Sequence, residues 1–164
     1  MKILYITTFL SSLFLTMHGQ NITITELIKF QKNDAEYFES AALKKGFEYT
    51  STNDNDDVNI ISYSLYKLVG RRSAHFLRYY TWKPDLRSVM YQTTDRAEYI
   101  ALKAQAKNLG YNSYKTEKLG SDIIDCYKKS ELCICFNTTT SLNNENPETN
   151  IFQIDVRPSV LVQK

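Results

Sequence analysis

The sequence has little glycine, proline or histidine, and no excess of charge of one sign. Of its 164 residues, 5 are Gly, 3 are Pro and 2 are His, and 20 Lys+Arg face 18 Asp+Glu for a formal net charge of +2. Because nucleic-acid binders normally carry a clustered basic excess, this balance argues against a nucleic-acid partner. The chain has instead 12 Tyr, 8 Phe and 1 Trp, a composition that favours β-structure with faces covered by amphipathic rings.

The scarcity of histidine also limits the chemistry that the chain can perform. Outside the first 19 residues the sequence has only His75, and it has no G-x-S-x-G turn and no C-x-x-C pair. The C-x-C pair at 133 and 135 is not a common zinc-finger spacing, and the acidic run at 54–57 lacks the glycine and distal glutamate of an EF-hand. We therefore predict no catalytic residue, no metal site and no cofactor, and we interpret His75 as structural.

The first 19 residues have the pattern of a secretory signal peptide. One Lys near the start precedes an apolar run at 3–16 and a short polar end at Gly19. The run is short for a membrane span, so we predict cleavage near Gly19, a secreted or periplasmic mature chain and no membrane insertion. The alternative is a retained N-terminal anchor or a buried first helix.

A repeat organises the rest of the chain. Ala35-Glu36-Tyr37 recurs 62 residues later as Ala97-Glu98-Tyr99, each early in a helical pattern that follows a capping aspartate, Asp34 or Asp95. Glu98, three residues after Asp95, also fits a capping box. Each helical pattern ends at a glycine followed by an aromatic ring, Gly46-Phe47 and Gly110-Tyr111.

Four strand-like segments follow each helix. In the first copy they are residues 47–51, 63–67, 74–82 and 86–92, and in the second 111–115, 124–128, 131–139 and 151–156. An extra short helix with a capping box at 23–26 opens the first copy, and the aperiodic residues 137–150 predict a long exposed loop. We therefore predict an α+β fold of two tandem copies, 20–94 and 95–164, each a helix and a four-stranded antiparallel meander with helices on one sheet face.

This order of elements resembles, at the level of architecture only, the tandem helix-plus-four-strand layout of the β-lactamase inhibitor protein type and of small exported bacterial proteins of unknown function. The chain departs from that inhibitor type because it lacks four cysteines arranged as two disulfides, and no inhibitory residue can be carried over. The resemblance implies a sheet with helices on one face and the other face offered to a partner.

The hairpin at 74–92 carries the residue types that dominate protein interfaces. If it closes at Pro84-Asp85, one face presents the candidate binding residues Arg78, Tyr80, Trp82, Arg87 and Tyr91. The same set is also consistent with a core whose arginine stems reach out to solvent, because strand periodicity does not say which face is exposed.

The three cysteines allow two interpretations. If the next hairpin turns at Lys129-Ser130, Cys126 lies opposite Cys133, which predicts that disulfide with Cys135 as the odd thiol. Three buried reduced cysteines that pack as small hydrophobes are the alternative.

These observations lead to two functional hypotheses. The first is an exported, monomeric, non-enzymatic binding or inhibitory protein. It binds a protein partner through the sheet face that carries the aromatic and arginine side chains. The second is an envelope enzyme or small-ligand carrier with a pocket between the two repeats.

Overall fold

The computed structural model describes residues 22–55, 57–67, 73–82, 86–143 and 146–162. The predicted signal peptide, 1–19, and the predicted turn at Pro84-Asp85 lie outside these ranges. Helices and strands in the described ranges occur in the order α1 (Ile24–Lys32), α2 (Ala35–Lys44), β1 (Glu48–Asp54), β2 (Val58–Lys67), β3 (Ser73–Trp82), β4 (Leu86–Thr93), α3 (Arg96–Asn108), β5 (Asn112–Leu119), β6 (Asp122–Lys129), β7 (Leu132–Asn143) and β8 (Asn146–Pro158), followed by a 3-10 turn, Ser159–Val162.

Local signals start each helix. The Thr23 hydroxyl accepts from the Glu26 amide at 3.2 Å, and the Glu26 carboxylate accepts from the Thr23 amide at 2.9 Å, so α1 opens with the predicted capping box. Asp34 caps α2, and Asp95 caps α3 by accepting from two amides of its first turn. Glu98 does not complete a box at α3, because its carboxylate turns into the core instead.

The helices α2 and α3, one in each repeat, end in the same way. Gly46 and Gly110 have φ of +81° and +83°, the left-handed region that glycine enters without strain. The amide of the aromatic residue that follows each glycine reaches back one turn, from Phe47 to the Ala42 carbonyl and from Tyr111 to the Ala106 carbonyl, at 3.1 Å in both cases. The repeated Gly-aromatic pair thus closes each helix and sends the chain into a strand.

The eight strands form a single antiparallel sheet in the order β1-β2-β3-β4-β8-β7-β6-β5. The α+β class and the two meanders are confirmed, and the last strands of the meanders, β4 and β8, pair with each other from Val89 opposite Val156 to Thr93 opposite Phe152. The prediction of a long loop at 137–150 was wrong. Residues 137–143 and 146–150 extend β7 and β8, with Thr139 opposite Ile151 and Thr140 opposite Asn150.

The helices lie on one face of this sheet and bury its apolar side chains. The main core cluster combines helix residues such as Leu27, Phe38 and Leu102 with alternate strand residues from the interior strands of both repeats. The strand contributors on this helix-covered face include Tyr63, Leu77, Tyr79, Val89, Tyr91, Tyr127, Ile134, Phe136, Ile154 and Val156. Because side chains alternate along a strand, the intervening residues point to the opposite face. No helix in the described ranges is long and apolar enough to cross a membrane.

Candidate functional site

The face opposite the helices, here called the open face, carries three of the five predicted binding residues. Arg78, Tyr80 and Trp82 occupy alternate positions of β3 and are partly exposed. The Tyr80 and Trp82 rings lie nearly parallel, with centroids 6.2 Å apart and 14° between their planes. The Trp82 indole donates to the Ser88 hydroxyl on β4 at 3.1 Å, which fixes the orientation of the ring.

The other two predicted binding residues, Arg87 and Tyr91, do not belong to this set. Trp82 pairs with Leu86, so three residues separate β3 from β4, whereas two were predicted. As a result Tyr91 pairs with Leu77, and Arg87 pairs with Thr81. A shift of one residue in pairing turns every β4 side chain to the other face. Tyr91 is therefore only 1% exposed under the helices. Arg87 lies two positions from the buried Val89 on the same strand and so also points to the helix side.

Burial affects the ionisation of the Tyr80 phenol. It raises the pKa of Tyr80, although the adjacent Arg78 guanidinium acts to lower it. Tyr80 therefore stays protonated and neutral near neutral pH and can donate a hydrogen bond. Arg78 supplies a charged donor beside it.

A polar cluster that sequence reasoning missed lies at the centre of the open face. Asp155 of β8 pairs with Met90 of β4 on one side and with Cys135 of β7 on the other. The Gln153 side-chain amide donates to the Asp155 carboxylate at 3.0 Å. Burial raises the pKa of Asp155, against the lowering effects of the Gln153 hydrogen bond and of Arg157.

One pattern in the sequence indicates this cluster. Polar Gln153, Asp155 and Arg157 alternate with apolar Phe152, Ile154 and Val156, so β8 has one polar face. Which strands flank β8 depends on the long-range pairing of β4 with β8, which no local pattern specifies.

The disulfide differs from the predicted one. Cys126 is bonded to Cys135, and Cys133 is a buried free thiol. The hairpin turns at Ser130-Glu131, so that Lys129 pairs with Leu132 and Cys126 lies directly opposite Cys135. Burial raises the pKa of the Cys133 thiol, which keeps it protonated and unreactive.

The 3-10 turn that follows β8 covers the cysteine-bearing part of the open face. Val162 packs with all three cysteines and with Ile124. The Ser159 amide donates to the Glu131 carbonyl at 2.8 Å, which fixes the start of the turn. The exposed part of the open face includes the β3 residues Arg78, Tyr80 and Trp82, which are partly exposed, whereas their β4 neighbours Ser88 and Met90 are only 8% and 2% exposed.

His75 lies in a buried hydrogen-bond network on the helix side. The Nδ1 atom of His75 is 2.6 Å from the Tyr91 hydroxyl and 3.5 Å from the Glu98 carboxylate. The Glu98 carboxylate in turn accepts hydrogen bonds from the hydroxyl of Tyr91 at 2.9 Å and from that of Thr93 at 3.0 Å. Burial, together with the Glu98 charge, raises the pKa of Tyr91. His75 is 3% exposed, so it offers no surface to a substrate and ties β3, β4 and α3 together.

A groove runs between the two repeats on the helix side. It has a volume of about 560 Å³ and lies between α1, the C-terminal end of α3 and the turn that joins β6 to β7. Its apolar wall consists of Ile28, Leu109, Tyr111, Leu132 and Pro158. We call it the inter-repeat groove.

Among the described residues no group of three or more His, Cys, Asp or Glu side chains is placed to hold a metal ion. Comparisons with protein-family models, with curated proteins and with solved structures find no match to this chain.

Proposed function

We propose that the mature chain is an exported, non-enzymatic binding or inhibitory protein that engages a protein partner through the exposed part of the open face. One observation carries this proposal: Arg78, Tyr80 and Trp82 lie together on a sheet face that the described helices leave uncovered. Such residues dominate interface energetics because they are large, stiff and able to form hydrogen bonds at one end.

The surroundings of these residues favour a preorganised surface. The Trp82 ring is held by Ser88, and Tyr80 lies beside it at 6.2 Å, so little side-chain freedom is lost on binding. The Asp155 carboxyl also supports the proposal, because a half-buried acid with a raised pKa is a costly feature that proteins commonly retain at functional sites.

The sheet edges are poor alternatives as the binding surface. Both edge strands, β1 and β5, are polar and largely exposed, and each has a β-bulge, at 49–51 in β1 and at 113–115 in β5. Bulges and charged side chains on an edge oppose the addition of another strand. The open face is therefore the better candidate, as the resemblance in element order to the β-lactamase inhibitor type also implies.

The test is affinity capture of envelope and extracellular proteins with the mature chain, followed by titration of any captured partner against matched variants. Trp82→Ala and Arg78→Ala remove open-face side chains. Tyr37→Ala and Arg96→Ala remove an exposed ring and an exposed guanidinium from α2 and α3 on the helix side.

We expect Trp82→Ala to weaken binding by about 30-fold, the equivalent of about 2 kcal/mol at an interface hot spot, and the helix-side variants to bind like the wild type. Binding that is insensitive to Trp82→Ala and Arg78→Ala, or that is lost equally in the helix-side variants, contradicts the proposal.

A further inference from the structure

The inter-repeat groove exists because the two repeats are not identical. The first repeat has the extra helix α1, which packs on β4 and β8 at the junction of the two meanders. One side of α1, at Thr25, Ile28 and Lys32, faces the C-terminal end of α3 and the β6–β7 turn of the second repeat. The groove is thus lined by both repeats, at the side of α1, which among the described helices has no counterpart in the second repeat.

The wall of the groove suits the apolar part of a small molecule. Leu109 is 38% exposed, and Ile28 and Leu132 are only partly buried. The phenol of Tyr111 is 7% exposed and thus presents little polar surface to the groove. A volume of about 560 Å³ lies within the range of small-molecule sites, and such sites combine apolar walls with a few polar groups that orient the ligand.

The charged groups at the groove favour an anion. Lys129 is fixed by a 2.7 Å hydrogen bond from its ammonium group to the Leu109 carbonyl, which leaves two N–H donors for a ligand. The Glu131 carboxylate accepts from the Ser159 hydroxyl at 3.5 Å. Lys32 makes no ion pair with any of the described residues. Two ammonium groups against one carboxylate leave the lining with an excess positive charge.

We propose that the inter-repeat groove binds a small amphiphilic monocarboxylate, whose apolar chain or ring packs on Ile28, Leu109 and Leu132 and whose carboxylate pairs with Lys32 and Lys129. This site is independent of the open face, which lies on the other side of the sheet.

Octanoate and its neutral isostere octanamide are the probes, and NMR titration of the mature chain is the measurement. Methyl shifts of Ile28 and Leu132 report occupancy of the groove directly. Lys32→Met removes the charge and keeps most of the aliphatic stem. Lys29→Met is the matched control, because Lys29 is also exposed on α1 and does not line the groove.

We expect saturable shifts at both methyl groups with octanoate and weaker binding of octanamide. Lys32→Met should weaken octanoate binding two- to fivefold, the range of a partly exposed ion pair, and Lys29→Met should leave it unchanged. Leu109→Glu gives a second variant at an exposed wall position, and it should abolish binding through repulsion of the carboxylate.

Three results would overturn the proposal: no saturable shift at these methyl groups, equal affinity for octanoate and octanamide, or equal effects of Lys32→Met and Lys29→Met. Trp82→Ala on the open face should not change octanoate binding, so failure here and failure of the proposed function are separate results.

Discussion

Replacement of Asp155 by asparagine tests whether the charge at the centre of the open face lowers the free energy of unfolding. The carboxyl lies in the middle of the sheet, and it accepts a hydrogen bond from the Gln153 side-chain amide at 3.0 Å. Asparagine keeps the shape of the side chain and an oxygen that can accept this bond. The substitution therefore removes one charge and little else.

The sign of the effect follows from the raised pKa. Burial, the largest influence, raises the pKa of Asp155 above its usual range in spite of Gln153 and Arg157, so the native state holds the proton more tightly than the unfolded state. The contribution of this group to stability is full below the unfolded pKa and is lost as the pH rises through the folded pKa. One pKa unit corresponds to about 1.4 kcal/mol, so we expect Asp155→Asn to stabilise the fold at pH 8 by on the order of 1 kcal/mol.

Urea unfolding of the mature chain at pH 8 and pH 4 measures this gain. At pH 8 we also expect a rise in Tm of about 3 °C, and at pH 4 the gain should be smaller, because a raised pKa lets the native state hold the proton more tightly as the pH falls. Asp54→Asn on the exposed edge strand β1 is the control and should change neither value. If Asp155→Asn destabilises the protein at pH 8, or if its effect is the same at both pH values, the assignment of a costly buried charge is wrong.

Three further predictions concern the scaffold. The hydrogen bond from Lys103 lowers the pKa of Asp125, so the stability that this pair adds is full above the unfolded carboxyl pKa and is lost as the pH falls through the folded one. Asp125→Asn should therefore cost about 1 kcal/mol in urea unfolding at pH 7 and less at pH 3, and an equal cost at both would contradict this reasoning. Gly110→Ala should cost about 1–2 kcal/mol in the same assay because of its φ of +83°, and an unchanged stability would show that the helix end can relax. Thiol titration of the denatured, unreduced chain should find one free thiol, that of Cys133, whereas three would exclude the disulfide.

Local chemistry explains why the helices and the repeat could be predicted. A cap such as Thr23 or Asp34 forms hydrogen bonds within three residues of itself, and Gly46 closes its helix with the next residue along the chain. These interactions require no knowledge of distant strands, so the sequence pattern is sufficient to locate them. Glu98 is the exception. Its carboxylate accepts hydrogen bonds from two residues of β4, Tyr91 and Thr93, and a local capping pattern does not reveal these partners.

The segment 137–150 shows the limit of the local pattern. It has no apolar alternation, which is why it was predicted to be a loop, and its Asn, Glu and Pro residues have low β-propensity. In the sheet β7 and β8 pair with each other along this stretch, as at Thr140 and Asn150, and backbone hydrogen bonds between strands do not require apolar side chains. Pairing with a partner strand can thus override propensity.

Two errors in strand pairing had different consequences for the site, and the difference follows from the period of a strand. The first hairpin was misplaced by one residue, and its β4 side chains exchanged faces, which removed Arg87 and Tyr91 from the binding set. The second hairpin turns one residue later than predicted, which moves the partner of Cys126 by two positions, from Cys133 to Cys135. A shift of two keeps the face, so the cysteines were placed correctly on one side of the sheet and paired incorrectly.

Neither turn carried a sequence signal strong enough to prevent these errors. The second turn has Ser130 at φ of +52°, where asparagine or glycine would have marked a two-residue turn. In the first, a proline favours a turn without fixing whether two or three residues separate the strands. A binding face predicted from strand alternation is therefore only as certain as the loop lengths around it. For this chain Arg78, Tyr80 and Trp82 remain together regardless of register, because they lie on one strand, and they are the residues whose substitution tests the open face most directly.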